Sequence, residues 1–205
     1  MLNIIQDVQQ EEIISATCYT PFDQGKTFLE AQGYNIISLK ENAELRMQQP
    51  DLPKKENWVS NGIIYVPDRG AFLTKKSPIM KNPEEATQTH RKDKEYYLTD
   101  KQVDQSLEDS VQVSRQKIPT DEFGNEEITI HAFGNIAKEY GYFLKENGIK
   151  GMYIWGVDKN YVDKWEKPFV KQIWFGSLDH RSDLLGRDRL LDCDHWVRGI
   201  KFNKQ

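Results

Sequence analysis

The chain has 205 residues, a formal net charge of −4 and a composition that is 38% hydrophobic and 29% charged. That is enough for one large or two small domains with a real core. The acidic balance argues against nucleic acid, which needs a basic surface; no run approaches the about 18 apolar residues of a membrane span; and MLNIIQDVQQEEII lacks the basic-then-apolar order of a secretory leader.

In chain order, DQGKTFLEAQ (23–32) predicts a helix opening at Asp23 and closed by Gly33. YNIISL (34–39) reads as a short buried strand, and KENAELRMQQ (40–49) as a second helix stopped by Pro50 and Pro53. A linker is expected around DLPKKEN. It separates an N-terminal segment, residues 1–55, packed on or preceding a main domain at 56–205. WVSNGIIYVP (58–67) and AFLTKKSPI (71–79) have hairpin spacing across Asp68–Gly70.

NPEEATQTHRKDKE (82–95) predicts a polar helix with Asn82 as cap and Pro83 at its first position. Thr99 and Gln102 have capping-box spacing, and Val103, Leu107 and Val111 follow on one helical face. EEITIHAF (126–133) reads as a strand. Asn135 is the expected cap of a helix whose stripe is Ile136, Tyr140, Phe143 and Leu144, ended by Asn147 and Gly148. MYIWGV (152–157), FVKQIWFGSL (169–178) and HWVRGIKF (195–202) are the last strands. Without regular βαβ units, the pattern favours an α+β fold with antiparallel strands.

Common catalytic and nucleotide-binding motifs are absent: there is no G-x-G-x-x-G, Walker A, G-x-S-x-G or H-E-x-x-H. His90, in THRKDKE, reads as part of a solvated helix face, and His131 as a structural strand residue. The pairs Glu84–Glu85 and Glu126–Glu127 read as solvated carboxylates. Cys18 and Cys193 are too few for a disulfide scaffold and read as free thiols. Asp192-Cys193-Asp194-His195 is the one metal-like cluster; Asp192 and Asp194 would share a face of an extended segment. They are a weak candidate, and no cofactor is expected.

Residues 173–200, IWFGSLDHRSDLLGRDRLLDCDHWVRGI, contain no Lys, Glu, Gln or Met, types that fill nearly a third of the rest of the chain. The window is nevertheless charged, holding Arg181, Arg187, Arg189 and Arg198 and several aspartates. Surface chemistry does not separate Arg from Lys or Asp from Glu so cleanly. A codon rule does. The codons AAC and AAT, randomised at their first two bases, encode Asp, His, Arg, Ser, Leu, Cys, Gly and Asn, but never Lys, Glu, Gln, Met or Trp. Adenine-directed mutagenesis by a retroelement works in this way.

The stretch PFVKQIWFGSLDHRSDLLGRDRLLDCDHWVRGIKF resembles the variable region of diversity-generating retroelement variable proteins, particularly archaeal and viral ones. The resemblance rests on Pro168-Phe169, Gln172, Trp174-Phe175, Leu178, Ser182, Leu184, Gly186, Leu190 and Val197-Arg198-Gly199. It implies a C-type-lectin-type fold, with mainly antiparallel strands and two or more flanking helices, displaying variable side chains on an exposed face. The lectin Trp-Asn-Asp pattern is absent, so calcium-dependent sugar binding is not implied.

The variable, ligand-binding positions expected from the permitted alphabet are Asp179, His180, Arg181, Asp183, Leu185, Arg187, Asp188, Arg189, Leu191, Asp192, Cys193 and His195, with ordinary loop residues as the alternative and core packing as the alternative for Leu185 and Leu191. Trp174, Phe175, Gly186, Trp196, Arg198 and Gly199 are expected scaffold; Trp196 cannot arise from such codons. Arg suits a binding face because its guanidinium is a rigid fork, and it is enriched at interfaces where Lys is depleted. The expected activity is therefore non-enzymatic binding of a diversified ligand, a protein before a small molecule, because spread polar side chains suit a flat interface better than a pocket. No nucleic-acid partner and no membrane insertion are expected, and the location is cytoplasmic or virion-associated. The rivals are an undiversified adhesion or assembly module and an enzyme of the formylglycine-generating type on the same fold.

Overall fold

The computed structural model describes residues 4–9, 13–49, 56–155, 157, 159–177, 183–186 and 191–202. The chain begins with two antiparallel strands, β1 (Ile5–Gln9) and β2 (Ile13–Thr20). Helix α1 (Phe22–Ala31) follows, and the chain leaves it through Gly33, whose φ of +80° favours glycine. The segment expected as one strand at 34–39 splits. Only β3 (Asn35–Ile36) is extended, because Ser38 begins a capping box with Glu41 and Leu39 already belongs to α2 (Leu39–Gln48). The expected linker residues 51–55 lie outside the described residues.

Strands β4 (Asn57–Val66) and β5 (Gly70–Thr74) form the expected antiparallel hairpin, turning through positive φ at Asp68 and Gly70. Helix α3 (Pro83–His90) has Pro83 at its first position, but the Asn82 side chain makes no cap; its amide donates to the Tyr96 hydroxyl instead. Next come β6 (Tyr96–Tyr97), α4 (Asp100–Leu107) with the Thr99–Gln102 capping box, β7 (Ser110–Gln112) and β8 (Lys117–Pro119). Val111 thus lies on a strand beyond the helix end.

EEITIHAF is not a strand. It forms helix α5 (Glu127–Phe133), which Gly134 closes at φ +62°. Ile128, Thr129, Ala132 and Phe133 are buried while Ile130 is exposed, which is helical spacing and not alternation. A short 3-10 turn, Gly134–Ile136, leads into α6 (Ala137–Glu146), so Asn135 is not its cap. The last elements are β9 (Gly151–Trp155), α7 (Lys159–Val162), β10 (Phe169–Phe175), β11 (Leu184–Leu185) and β12 (His195–Phe202).

The main path of the sheet runs β1-β2-β12-β4-β10-β11-β9-β8. Most pairings are antiparallel; β12–β4 and β11–β9 are parallel. β2 and β12 pair from Thr20–His195 to Ile13–Phe202, so the N-terminal segment is continuous with the main sheet across the expected boundary at residue 55.

Helices cover both faces. On one, α2, α5 and α6 bury Leu45, Phe133 and Tyr140 against Val59, Ile63, Ile173 and Phe175. On the other, α1, α3 and α4 bury Phe22, Leu29, Ala86 and Val103 against Trp58, Ile64, Val170, Trp174 and Val197. The central strands β4 and β10 are therefore apolar on both sides, which is why they read in sequence as continuous hydrophobic runs. The molecule is a mixed α+β protein built on a large, mostly antiparallel sheet.

Candidate functional site

The window singled out in the sequence spans the end of β10, β11 and the start of β12. Strand register puts its ends side by side: Trp58 of β4 pairs with Trp174 on one flank and with Val197 on the other. The row continues outward, Cys18 beyond Val197, and Leu185 then Trp155 beyond Trp174. Cross-strand partners share a face, so this row presents Trp58 and Trp174 together to the α1 side. Their rings meet edge to face at 5.0 Å, and the His195 ring lies 4.7 Å from that of Trp174.

The expected scaffold residues are embedded here. Trp174, Phe175 and Arg198 are buried, and Trp196 is half-buried against Tyr19, ring centroids 5.2 Å apart. A Cβ on Gly186 would lie 2.8 Å from both Ile63 Cδ1 and Tyr65 Oη, and one on Gly199 would lie 2.8 Å from Tyr34 Cβ. Close approach makes glycine the fitting residue at both, most strictly at Gly199, although neither has positive φ.

The exit of β10 is held from α2. Arg46, only 1% exposed, donates to the Gly176 carbonyl at 2.7 Å and lays its guanidinium 3.8 Å above the Phe175 ring. Among the described residues it has no carboxylate partner. Its charge is balanced by a carbonyl, the Tyr140 hydroxyl and a π face. In the sequence Arg46 was only one polar residue of a helix; nothing in the helical pattern marked it as internal.

The expected variable positions divide. Asp179, His180, Arg181, Arg187, Asp188 and Arg189 lie outside the described residues. Cys193 is exposed, and Leu185, Asp192 and His195 are half-buried. Asp183 and Leu191 are buried and not displayed, Leu191 in keeping with its alternative reading as core. Asp183 is buried and accepts hydrogen bonds from the Trp155 indole at 2.9 Å and the Tyr153 N–H at 3.3 Å, while its own carbonyl accepts from Gly176 N–H at 2.8 Å. Leu191 is fully buried in the core beside α1.

Two further expectations change. His90 is not on a solvated face: it is 2% exposed, and its Nδ1 accepts the Leu191 N–H at 3.3 Å. Burial, with the nearby Lys171 charge second, lowers its pKa to about 4. Asp192 lies in a turn and Asp194 in irregular backbone before β12, so the two are not on one extended segment and the geometric premise for a shared metal is lost. Among the described residues no three His, Cys, Asp or Glu side chains converge. Cys18 is buried beneath Gly25 and Val197, and desolvation raises its thiol pKa to about 11, far from the range of a reactive thiolate.

Exposed aromatic side chains flank the window. Trp155 is 38% exposed and stacked by Tyr153, ring centroids 5.8 Å apart; on the other side Tyr19 is 55% exposed beside Trp196. No family model, curated protein or solved structure matches the chain. Among the described residues no helix is long and apolar enough to cross a membrane.

Proposed function

We propose that the protein is a non-enzymatic receptor on a C-type-lectin-type fold, whose recognition face is diversified by adenine-directed mutagenesis over the segment between β10 and β12. One observation carries this reading. The residues that such codons cannot supply, Trp174 and Trp196, belong to the strands that bracket the segment, and those strands meet on the two flanks of Trp58. The residues drawn from the permitted alphabet fall between them. A rigid frame with a replaceable insert is what diversification requires, since most substitutions into a packed strand destabilise.

Chemistry supports a protein ligand. The segment is rich in Arg and Asp, and Trp155 and Tyr153 lie on the strand paired with β11 while Tyr19 and Trp196 pair at the start of β12; Trp, Tyr and Arg dominate the energetics of protein interfaces. The inaccessible Cys18 thiol gives no support to an enzyme that works through paired thiols.

The encoding DNA tests the proposal. Codons for Asp179, His180, Arg181, Arg187, Asp188, Arg189, Asp192, Cys193 and His195 are expected to end in C or T. A near-copy of the segment carrying AAY codons is expected beside a reverse transcriptase gene. Mixed third bases and no copy would favour an undiversified adhesion or assembly module.

A further inference from the structure

We propose that His90 is a positioning residue for the recognition face: its neutral imidazole latches the last turn before β12 onto the helical layer, and protonation opens the latch. The Leu191 backbone is gripped on both sides of its Cα. Its N–H donates to His90 Nδ1 at 3.3 Å, and its carbonyl accepts the Phe22 N–H at 2.9 Å. One residue of the window is thereby tied through its two flanking peptide groups to the end of α3 and the start of α1, with the Leu191 side chain fully buried. Cys193 and Asp194, both exposed, follow directly.

The grip has a defined proton inventory. An Nδ1 that accepts a hydrogen bond is unprotonated, so the proton of the neutral ring sits on Nε2. A second proton could go only to Nδ1, where it would confront the Leu191 N–H. The charged residues on the surrounding elements are Glu84, Glu85 and Arg91 at α3, Asp23, Lys26 and Glu30 on α1, Glu95 beside β6, Lys171 on β10 and Asp192 in the turn; of these, Lys171 is the one whose charge acts on the ring, against protonation. Lys171 is itself paired with Glu95 at 2.6 Å. The ring therefore stays neutral until the pH approaches about 4.

The link to recognition rests on the proposed function. The latch itself is tested without a ligand. In ¹⁵N-labelled protein, long-range ¹H–¹⁵N spectra read the His90 tautomer, and hydrogen exchange corrected for intrinsic rate reads Leu191 protection against pH. The expected result is an Nε2–H tautomer at neutral pH, with Leu191 protection falling about ten-fold as His90 titrates, the loss of one buried hydrogen bond. His90→Asn places a non-titrating carbonyl oxygen where Nδ1 was. It should keep Leu191 protected through the same range, whereas His90→Phe lowers protection at every pH. An Nδ1–H tautomer, or equal acid loss in wild type and His90→Asn, overturns the latch. Either result leaves the codon test of diversification untouched.

Discussion

A histidine held neutral inside a protein makes stability depend on pH with a definite sign. The His90 pKa falls from 6.5 to about 4 on folding, so between those values the unfolded chain binds the proton and the native state does not. Its contribution is complete above about 6.5, is lost as pH falls toward about 4, and does not change below that. The loss is about 3 kcal/mol at 1.36 kcal/mol per pKa unit. Urea unfolding at pH 7 and pH 4.5 should show it in the wild type and not in His90→Asn. Asp183 makes a second residue-scale prediction. Asp183→Leu leaves the Trp155 indole and the Tyr153 N–H without their acceptor, costing about 1–3 kcal/mol for each. Asp183→Asn, which keeps an acceptor, should unfold close to wild type in a thermal melt. If diversified copies of the chain exist, position 183 should be confined to Asp or Asn despite its permissive codon.

The strands and helices differ in how openly the sequence announced them. β12 is expected and found at 195–202, and β10 needs only a shorter end, because β-branched and aromatic residues fill strands buried on both faces. Thr99 and Gln102 likewise declare the start of α4 through chemistry local to four residues. EEITIHAF misled because Ile128, Ile130 and Ala132 alternate, while the contacts that decide, Thr129 and Phe133 inside with Ile130 outside, are tertiary. The window was legible as a unit from its missing residue types, and a core place for Leu191 was an open alternative, but the inward turn of Asp183 was not legible, since irregular segments obey no period. The glycine scaffold is testable at this scale. Gly199→Ala forces a Cβ within 2.8 Å of Tyr34 Cβ, near the backbone of a covering segment, and should cost about 1–3 kcal/mol by overpacking. Gly186→Ala meets the ends of Ile63 and Tyr65, which can shift, and should cost less; paired denaturant titrations rank the two.

For the whole molecule, tolerance should follow burial and not sequence position within the window. Exchanges at Cys193 and Asp194 among Ser, Asn, Arg and Gly are expected to hold stability within about 0.5 kcal/mol. Leu191→Ser, one turn away, removes a fully buried side chain and should cost more than about 2 kcal/mol. Parallel thermal melts of such a panel would separate frame from insert directly. Trp58 sets what that insert can become. Because β10 and β12 both flank β4 there, the strand ends leaving and re-entering the sheet are only about 10 Å apart, two strand spacings. A graft of foreign sequence that keeps β11, Asp183 and Leu191 therefore has a short, fixed gap to close, and doubling its length adds only about 0.6 kcal/mol of closure entropy. The two ends at Trp58 suit this protein to carrying loops of other lengths.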